Sequence, residues 1–416
     1  VVGSVTSVNV NELKVPSSNL TTSFAGRVAG LIAYQTSGEP GRDNAEFFVR
    51  GVTTFGTGKK DPLILIDNIE LTSNDLSRLN PDDISSFSVL KDATATALYG
   101  ARGANGVILV TTKEGKEGKV QINIRHETAF SGSTREVDVA DPITFMKMHN
   151  EATRTRDPLA PLPYSQSSIA AREAGGNPYV YPMVDWKDML FKPYTVNNRT
   201  NINLSGGGTV ARYYVALGYA NDNGLLKVDP VNNFNNNISL NKYNVRTNVN
   251  INLTKTTELA ARVSGTFDDY QGPIRGGAEM YNFAIKSNPV LFPAKYAPDE
   301  ENKHAKHILF GNYGEDSNYM NPYAEMLRGY SQYNTTVVTA QLELKQKLDF
   351  ITEGLDFRLM GNAHTYSNFS LQRAYSPFYY NIAGYDKPTD TYRLASLNED
   401  RGTDYLGYDQ GQGSRN

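Results

Sequence analysis

The segment Tyr243–Leu253 alternates with period two and admits little besides a strand with two unlike faces. Its odd positions are Tyr243, Val245, Thr247, Val249, Ile251 and Leu253, and its even positions are Asn244, Arg246, Asn248, Asn250 and Asn252. Successive side chains of a strand point to opposite faces, so one face is apolar or β-branched and the other carries amides and a guanidinium. The same period runs through Val120–Phe130, where Val120, Ile122, Ile124 and Phe130 oppose Gln121, Asn123, Arg125 and Glu127. It recurs in Ala211–Tyr219, Leu259–Phe267, Val338–Leu344 and Leu355–Ala363, and more weakly in Val196–Leu204, which makes seven strands.

Alternation alone suits a soluble sandwich as well as a barrel, and the connections decide between them. The joins after the second, fourth and sixth strands are short, at Gly206–Thr209, Lys255–Thr257 and Ile351–Gly354. Those after the first, third and fifth are long, at Ser131–Thr195, Asp222–Phe234 and Tyr270–Gln332. Strict exchange of long and short is the loop-and-turn asymmetry of outer-membrane barrels, and a sandwich has no reason to obey it. The strands have about the 9–11 residues needed to cross such a membrane. No aliphatic run exceeds four residues, as in Leu63–Ile66 and Val107–Val110, which excludes a transmembrane helix of about 20 residues. A mean hydropathy of -0.46 with 26 tyrosines and 17 phenylalanines fits a barrel that is polar inside and aromatic at its rims. Seven strands cannot close, because bacterial single-chain barrels have even strand numbers and an open edge is not viable in hydrocarbon. The expectation is therefore a piece of a longer protein. The start, VVGSVTSVNVNEL, has neither the basic nor the apolar region of a signal peptide, and is expected to lie inside that protein.

Ahead of the alternating region, residues 1–117 read as a compact α+β unit. Val5, Val8 and Val10 suggest a strand. Thr21–Ala29 suggests a helix with Phe24 and Val28 on one face, ended by Gly30. Phe47–Arg50 is a short strand, Pro62–Glu70 two strand halves about Asp67-Asn68, and Ile84–Leu90 another strand. Asp92 can cap a helix that Gly100 stops, and after Gly103 and Gly106 a β-branched strand covers Val107–Thr112. The long joins carry small elements of their own, including a helix opened by Asp141-Pro142 and the segment Asp185–Phe191. The fold expected is thus a partial transmembrane antiparallel β-barrel, residues 118–416, behind an N-terminal plug domain, with long extracellular loops at about 131–195 and 270–332.

The run LKDATATALYGARGANGVILVTTK, Leu90–Lys113, closely resembles the signature that ends the plug domain in the SusC/RagA family of TonB-dependent outer-membrane transporters. The resemblance extends through AGRVAGL (Ala25–Leu31), SGEPG (Ser37–Gly41), FFVRGV (Phe47–Val52), DPLILIDNIEL (Asp61–Leu71), DWKDMLF (Asp185–Phe191) and RYYVALGYAN (Arg212–Asn221). It implies a barrel of about 22 strands around the plug, a location in the bacterial outer membrane, and import of a nutrient rather than enzymatic turnover. It also implies a SusD-like lipoprotein closing the extracellular mouth, and TonB pulling on a segment upstream of Val1. The cargo it favours is an oligosaccharide, with an oligopeptide as the alternative. A structural subunit of a larger outer-membrane assembly is a further alternative, and a β-rich extracellular hydrolase a third.

Few constellations suggest other chemistry. GVTTFGTGKK, Gly51–Lys60, fails as a phosphate loop, because Thr53 stands where its first glycine belongs and Lys60 replaces the magnesium-binding hydroxyl. His304 and His307 have the spacing of a metal pair but lack a further ligand pattern, so no metal and no cofactor is assigned. Asp82-Asp83, and Asp67 with Glu70, are read as turn residues rather than a catalytic pair. A net charge of -3 gives no footprint for nucleic acid, and the absence of cysteine removes thiol chemistry. What remains is binding. Arg50, Gly51, Asp67, Gly100, Arg102 and Gly106 belong to tightly patterned plug segments and are candidates for the signature and for plug–barrel contact. Arg125, Glu127, Arg246 and Arg262 face the lumen by alternation. Phe55 and Trp186 are candidates to stack on a sugar ring, with anchoring at the lipid interface as the competing role.

Overall fold

The computed structural model describes residues 5–49, 61–91, 97–314 and 319–415. Arg50, Gly51 and Phe55, the whole of Gly51–Lys60, and the Asp92 cap lie outside the described residues.

The N-terminal unit contains β1 (Val5–Val8), β2 (Leu31–Gln35), β3 (Ala45–Val49), β4 (Leu63–Ile66), β5 (Ile69–Leu71), the short helix α1 (Ser73–Ser77), β6 (Ile84–Leu90) and β7 (Val107–Thr112). Five strands form one sheet in the order β1-β6-β7-β4-β5, with β4 and β7 parallel, while β2 and β3 pair separately. Asp67 and Asn68 have φ of 51° and 68°, the positive values that a two-residue hairpin turn demands and that Asp and Asn tolerate. Phe24, Phe47 and Phe87 meet at the centre of the core, with both ring pairs at 5.4 Å. The helix expected at Thr21–Ala29 is instead one 3-10 turn, Leu20–Ser23. Hydroxyls compete with the helix there: Thr22 Oγ1 donates to the Asn19 carbonyl and Ser23 Oγ to that of Leu20, and Gly26 turns to φ 71°. Phe24 and Val28 are buried all the same.

Beyond Gly118 the chain builds a wall of long strands: β8 (Gly118–Ser131), β9 (Thr195–Gly207), β10 (Ala211–Asn223), β11 (Ser239–Asn252) and β12 (Thr257–Gly272). After the two-residue β13 (Phe310–Gly311) come β14 (Gly329–Lys347), β15 (Asp356–Ala374), the hairpin β16 (Tyr379–Asp386) and β17 (Thr391–Ser396), and finally β18 (Gly407–Arg415). Eight of these form a single antiparallel meander, β18-β15-β14-β12-β11-β10-β9-β8. The eighth, β18, was not among the seven strands expected. Its sequence, GYDQGQGSR, has no apolar alternation, and only its pairing with β15 defines it. Joins 208–210, 253–256 and 348–355 are short, whereas 132–194, 224–238, 273–328 and 375–406 are long.

Ile122, Ile124, Leu217, Val245, Val263, Leu342 and Leu359 stand exposed on one face of the wall. On the other, Asn248 and Asn250 are 0% and 2% exposed because the plug lies against them. At the end of the long joins, helices α2 (Pro142–Arg156), α3 (Gln166–Glu173), α4 (Trp186–Leu190), α5 (Gly277–Lys286) and α6 (Pro322–Leu327) form a lobe. Its main apolar core includes Trp186, Leu190, Met280, Phe292, Phe310 and Leu327.

A cation on the lipid face near mid-membrane costs about 2–4 kcal/mol. Val263→Arg is therefore expected to lower the folding stability of the full-length barrel in lipid vesicles by about that amount. Unchanged stability would mean that this face meets water.

Candidate functional site

The densest set of polar contacts lies on the seam between plug and wall. It begins at Asn80-Pro81-Asp82-Asp83, where the Asn80 side chain accepts the Asp82 amide at 2.9 Å and Pro81 starts a single 3-10 turn. That turn sends the two neighbouring carboxylates to different partners. Asp82 takes Lys14 at 2.9 Å and, across the seam, Arg125 at 3.1 Å, and Arg125 also holds Glu127 at 2.5 Å. Asp83 accepts the Tyr214 hydroxyl at 2.8 Å and lies 3.7 Å from Arg246 Nε.

Arg246 is also 3.9 Å from Asp67. The Asp67 carboxylate accepts the amide and hydroxyl of Thr112 at 2.8 and 2.7 Å, which pins the β4–β5 turn to the end of β7, and its carbonyl accepts Gln341 Nε2 at 3.1 Å. Asn248 donates to Thr112 Oγ1 and to the Lys113 carbonyl. Arg262 bridges Glu114 of the plug end at 2.5 Å and Glu343 of β14 at 2.8 Å. At this level the plug supplies carboxylates and the wall guanidinium groups. Among the described residues the polarity reverses at Arg78, which holds Asp268 of β12 at 3.0 Å.

Burial works against the charge of Asp82, but the hydrogen bond and charge of Lys14, with the charge of Arg125, outweigh it and hold its carboxyl below the ordinary carboxylate value. Asp83 goes the other way. Burial raises it, although Arg246 and the Tyr214 hydroxyl pull it down. Burial and the charge of Lys14 lower Lys113.

The seam reaches the helical lobe at one further place. Helix α5 has no side-chain cap of its own at Gly276. Glu39 of the plug supplies one, its Oε2 accepting the Ala278 amide at 3.0 Å. Beside it Gly41, at φ 85°, lies so close to the Tyr333 hydroxyl that a Cβ would fall 2.3 Å away, and Tyr333 stacks on Tyr270 at 4.4 Å.

Of the residues singled out from sequence, the structure gathers Asp67, Arg125, Glu127, Arg246 and Arg262 on this seam. It leaves others elsewhere. Arg102 pairs at 3.0 Å with Glu70, inside the plug and well exposed. Gly100 is exposed at φ 58°. Gly106 packs on Val49 within the plug, where a Cβ would come within 2.8 Å. Trp186 is 2% exposed and donates to the Asn288 carbonyl at 3.1 Å, so its ring is core and cannot stack on a sugar. His307 stacks on Phe378 at 4.0 Å and contacts the Tyr380 hydroxyl. The sequence reasoning missed Asp82, Asp83, Tyr214, Glu114 and Glu39. The inward parity of β10 pointed to Tyr214, but only the folded plug brings a carboxylate to it.

The model of the TonB-dependent Receptor Plug Domain matches residues 1–107. TonB-dependent receptor P26 of Formosa agariphila is 33% identical over 293 residues, 69% of this chain and 27% of that protein. TonB-dependent receptor SusC of Bacteroides thetaiotaomicron is 28% identical over 299 residues, 68% of this chain and 28% of that protein. The chain belongs to the SusC/RagA-type TonB-dependent receptors. It spans about a quarter of the length of these relatives. The RagAB peptide transporter superposes over 90% of the chain and 42% of its own, with a TM-score of 0.69 and 20% identity, a likeness of fold. TonB-dependent receptors of this type are outer-membrane β-barrel proteins, so the exposed apolar face of β8–β15 is the one that meets membrane lipid.

The two seam aspartates carry opposite pH signatures. The contribution of Asp82, whose folded value is depressed, is present above the unfolded pKa of about 3.9 and is lost as pH falls through the folded value. That of Asp83, whose folded value is raised, is complete below about 3.9 and is lost as pH rises through the folded value. Urea exposure of a single cysteine placed at the buried Ser77 is expected to show it. Asp82→Asn should remove the loss of plug stability on the acid side, and Asp83→Asn the loss on the side of rising pH. Identical profiles for the two variants would contradict the assignment.

Proposed function

We propose that residues 1–117 are the plug and 118–416 the first part of the barrel of a TonB-dependent importer that moves a nutrient across the outer membrane. The observation that carries this reading is the seam itself. The plug is held against a polar wall by hydrogen bonds and ion pairs that water can replace, and among the described residues each buried apolar cluster lies wholly on one side of the seam. Such a plug can be displaced and can return. Gly100, Arg102 and Gly106 shape the plug, and Asp67, Arg125, Glu127, Arg246 and Arg262 hold it in place. A SusD-like lipoprotein closes the extracellular mouth, and TonB, energised from the inner membrane, pulls on a segment ahead of Val1.

The cargo favoured is an oligosaccharide, since asparagine, aspartate and tyrosine side chains in the extracellular loops suit polyhydroxy ligands. Oligopeptide is the second reading, favoured by the fold shared with proteins described as RagAB peptide importers. Purification of the full-length protein from native outer membranes in mild detergent, with mass spectrometry of what accompanies it, tests both. A SusD-like lipoprotein with bound oligosaccharide is the expected outcome, and bound peptide would select the second reading. Several unrelated envelope proteins in fixed ratio, without ligand, would make the chain part of a structural assembly instead.

A further inference from the structure

A small cleft lies on the seam beside the Asp82 contacts, between the plug segment 14–18 and the wall. One row of facing residues crosses the wall there: Glu127 on β8, Arg199 on β9, Ala220 on β10, Lys242 on β11 and Asp268 on β12. Arg199 and Lys242 therefore flank a residue with only a methyl group. Neighbouring strands are about 4.8 Å apart, so the two cations stand roughly 10 Å apart at the backbone, with open space over Ala220 between them.

The carboxylates nearby are engaged elsewhere. Glu127 is held by Arg125, Asp268 by Arg78, and Asp82 by Lys14 and Arg125. Asp222 takes a single nitrogen of Arg199, Nη2, at 2.8 Å. Arg199 is 7% exposed, yet its Nε and Nη1 are buried without a hydrogen-bond partner. Lys242 is 8% exposed, and the acceptor found for its ammonium among the described residues is the plug hydroxyl of Ser18 at 3.1 Å. A buried guanidinium with two orphaned donors is costly, since hydrogen bonds to charged groups are among the stronger ones and the penalty for leaving them unmade is correspondingly larger.

We infer that a small anion seats over Ala220 between Arg199 and Lys242 and bridges the barrel wall to the plug. It accepts from one of the two Arg199 donors that Asp222 leaves free on one side and from the Lys242 ammonium on the other, and Ser18 closes the site from the plug. An inorganic ion, or the acid group of a passing solute, supplies this chemistry. The assignment does not depend on the import reading, because the site is complete in the resting plug.

Bromide soaked into crystals of the full-length protein tests it by anomalous diffraction. The expected result is a peak in contact with Arg199 and Lys242, lost in Arg199→Gln and lost also in Ala220→Leu, which keeps both cations but fills the space. The second variant guards against mere misfolding of the first. Displacement of the peak by galacturonate would identify the acid group of a solute as a competent occupant, and its retention an inorganic ion. Ordered water without an anomalous signal, or a peak that persists in both variants, would overturn the site.

Discussion

Every second side chain of the long strands must satisfy lipid while its neighbours satisfy the plug, and this division governs the rest of the molecule. In hydrocarbon no backbone amide can be left without a partner, so the wall is a continuous antiparallel ladder from β8 to β18. The outward face carries aliphatic and aromatic groups. The inward face is then free to be polar, and it is: Arg125, Arg246, Asn248, Asn250 and Arg262 all point at the plug. A plug fitted to such a surface must itself be polar where they meet. The carboxylates of Asp67, Asp82, Asp83 and Glu114 fill that requirement.

The energetics of this fit suit a part that stays put and yet comes out. An ordinary hydrogen bond contributes about 0.5–1.5 kcal/mol net, because water replaces it when it breaks. Stripping one partner from a buried charge pair costs about 3–5 kcal/mol, because the other charge is left behind. The seam combines the two. Its loose contacts, such as Arg246 at 3.7 and 3.9 Å from its carboxylates, hold by charge without tight geometry. Its close ones, such as Arg262 between Glu114 and Glu343, fix position. Removal as a whole lets water reach every group, whereas loss of one partner strands its mate.

Much of this was legible in the sequence because period two is a local signal. Each alternating stretch announced both its strand and its two faces, and the spacing of the stretches announced the barrel. The lumen side of Arg246 and Arg262 followed from parity. What was not legible depended on contacts distant in the chain. β18 lacks the apolar alternation and exists by pairing with β15. Trp186 looked available in a long loop, but that loop folds upon Met280, Phe292 and Phe310 into a core. Arg102 carried the expected charge but found Glu70 within the plug. Asp82 and Asp83 read as turn residues, yet a turn residue and an anchor have the same sequence. Hydroxyl-rich Thr21–Ser23 scored as helix because local competition by Thr22 and Ser23 is invisible to a hydrophobic pattern.

Helix α5 begins without a cap from its own segment and borrows the Glu39 carboxylate from the plug. The Ala278 amide thus finds this acceptor only after the plug has been seated within the wall, although the helix lies some 240 residues further along the chain. Assembly acquires an order from this. A barrel closed around an empty lumen would leave the Ala278 amide without that acceptor, so the lobe registers whether the plug is in place.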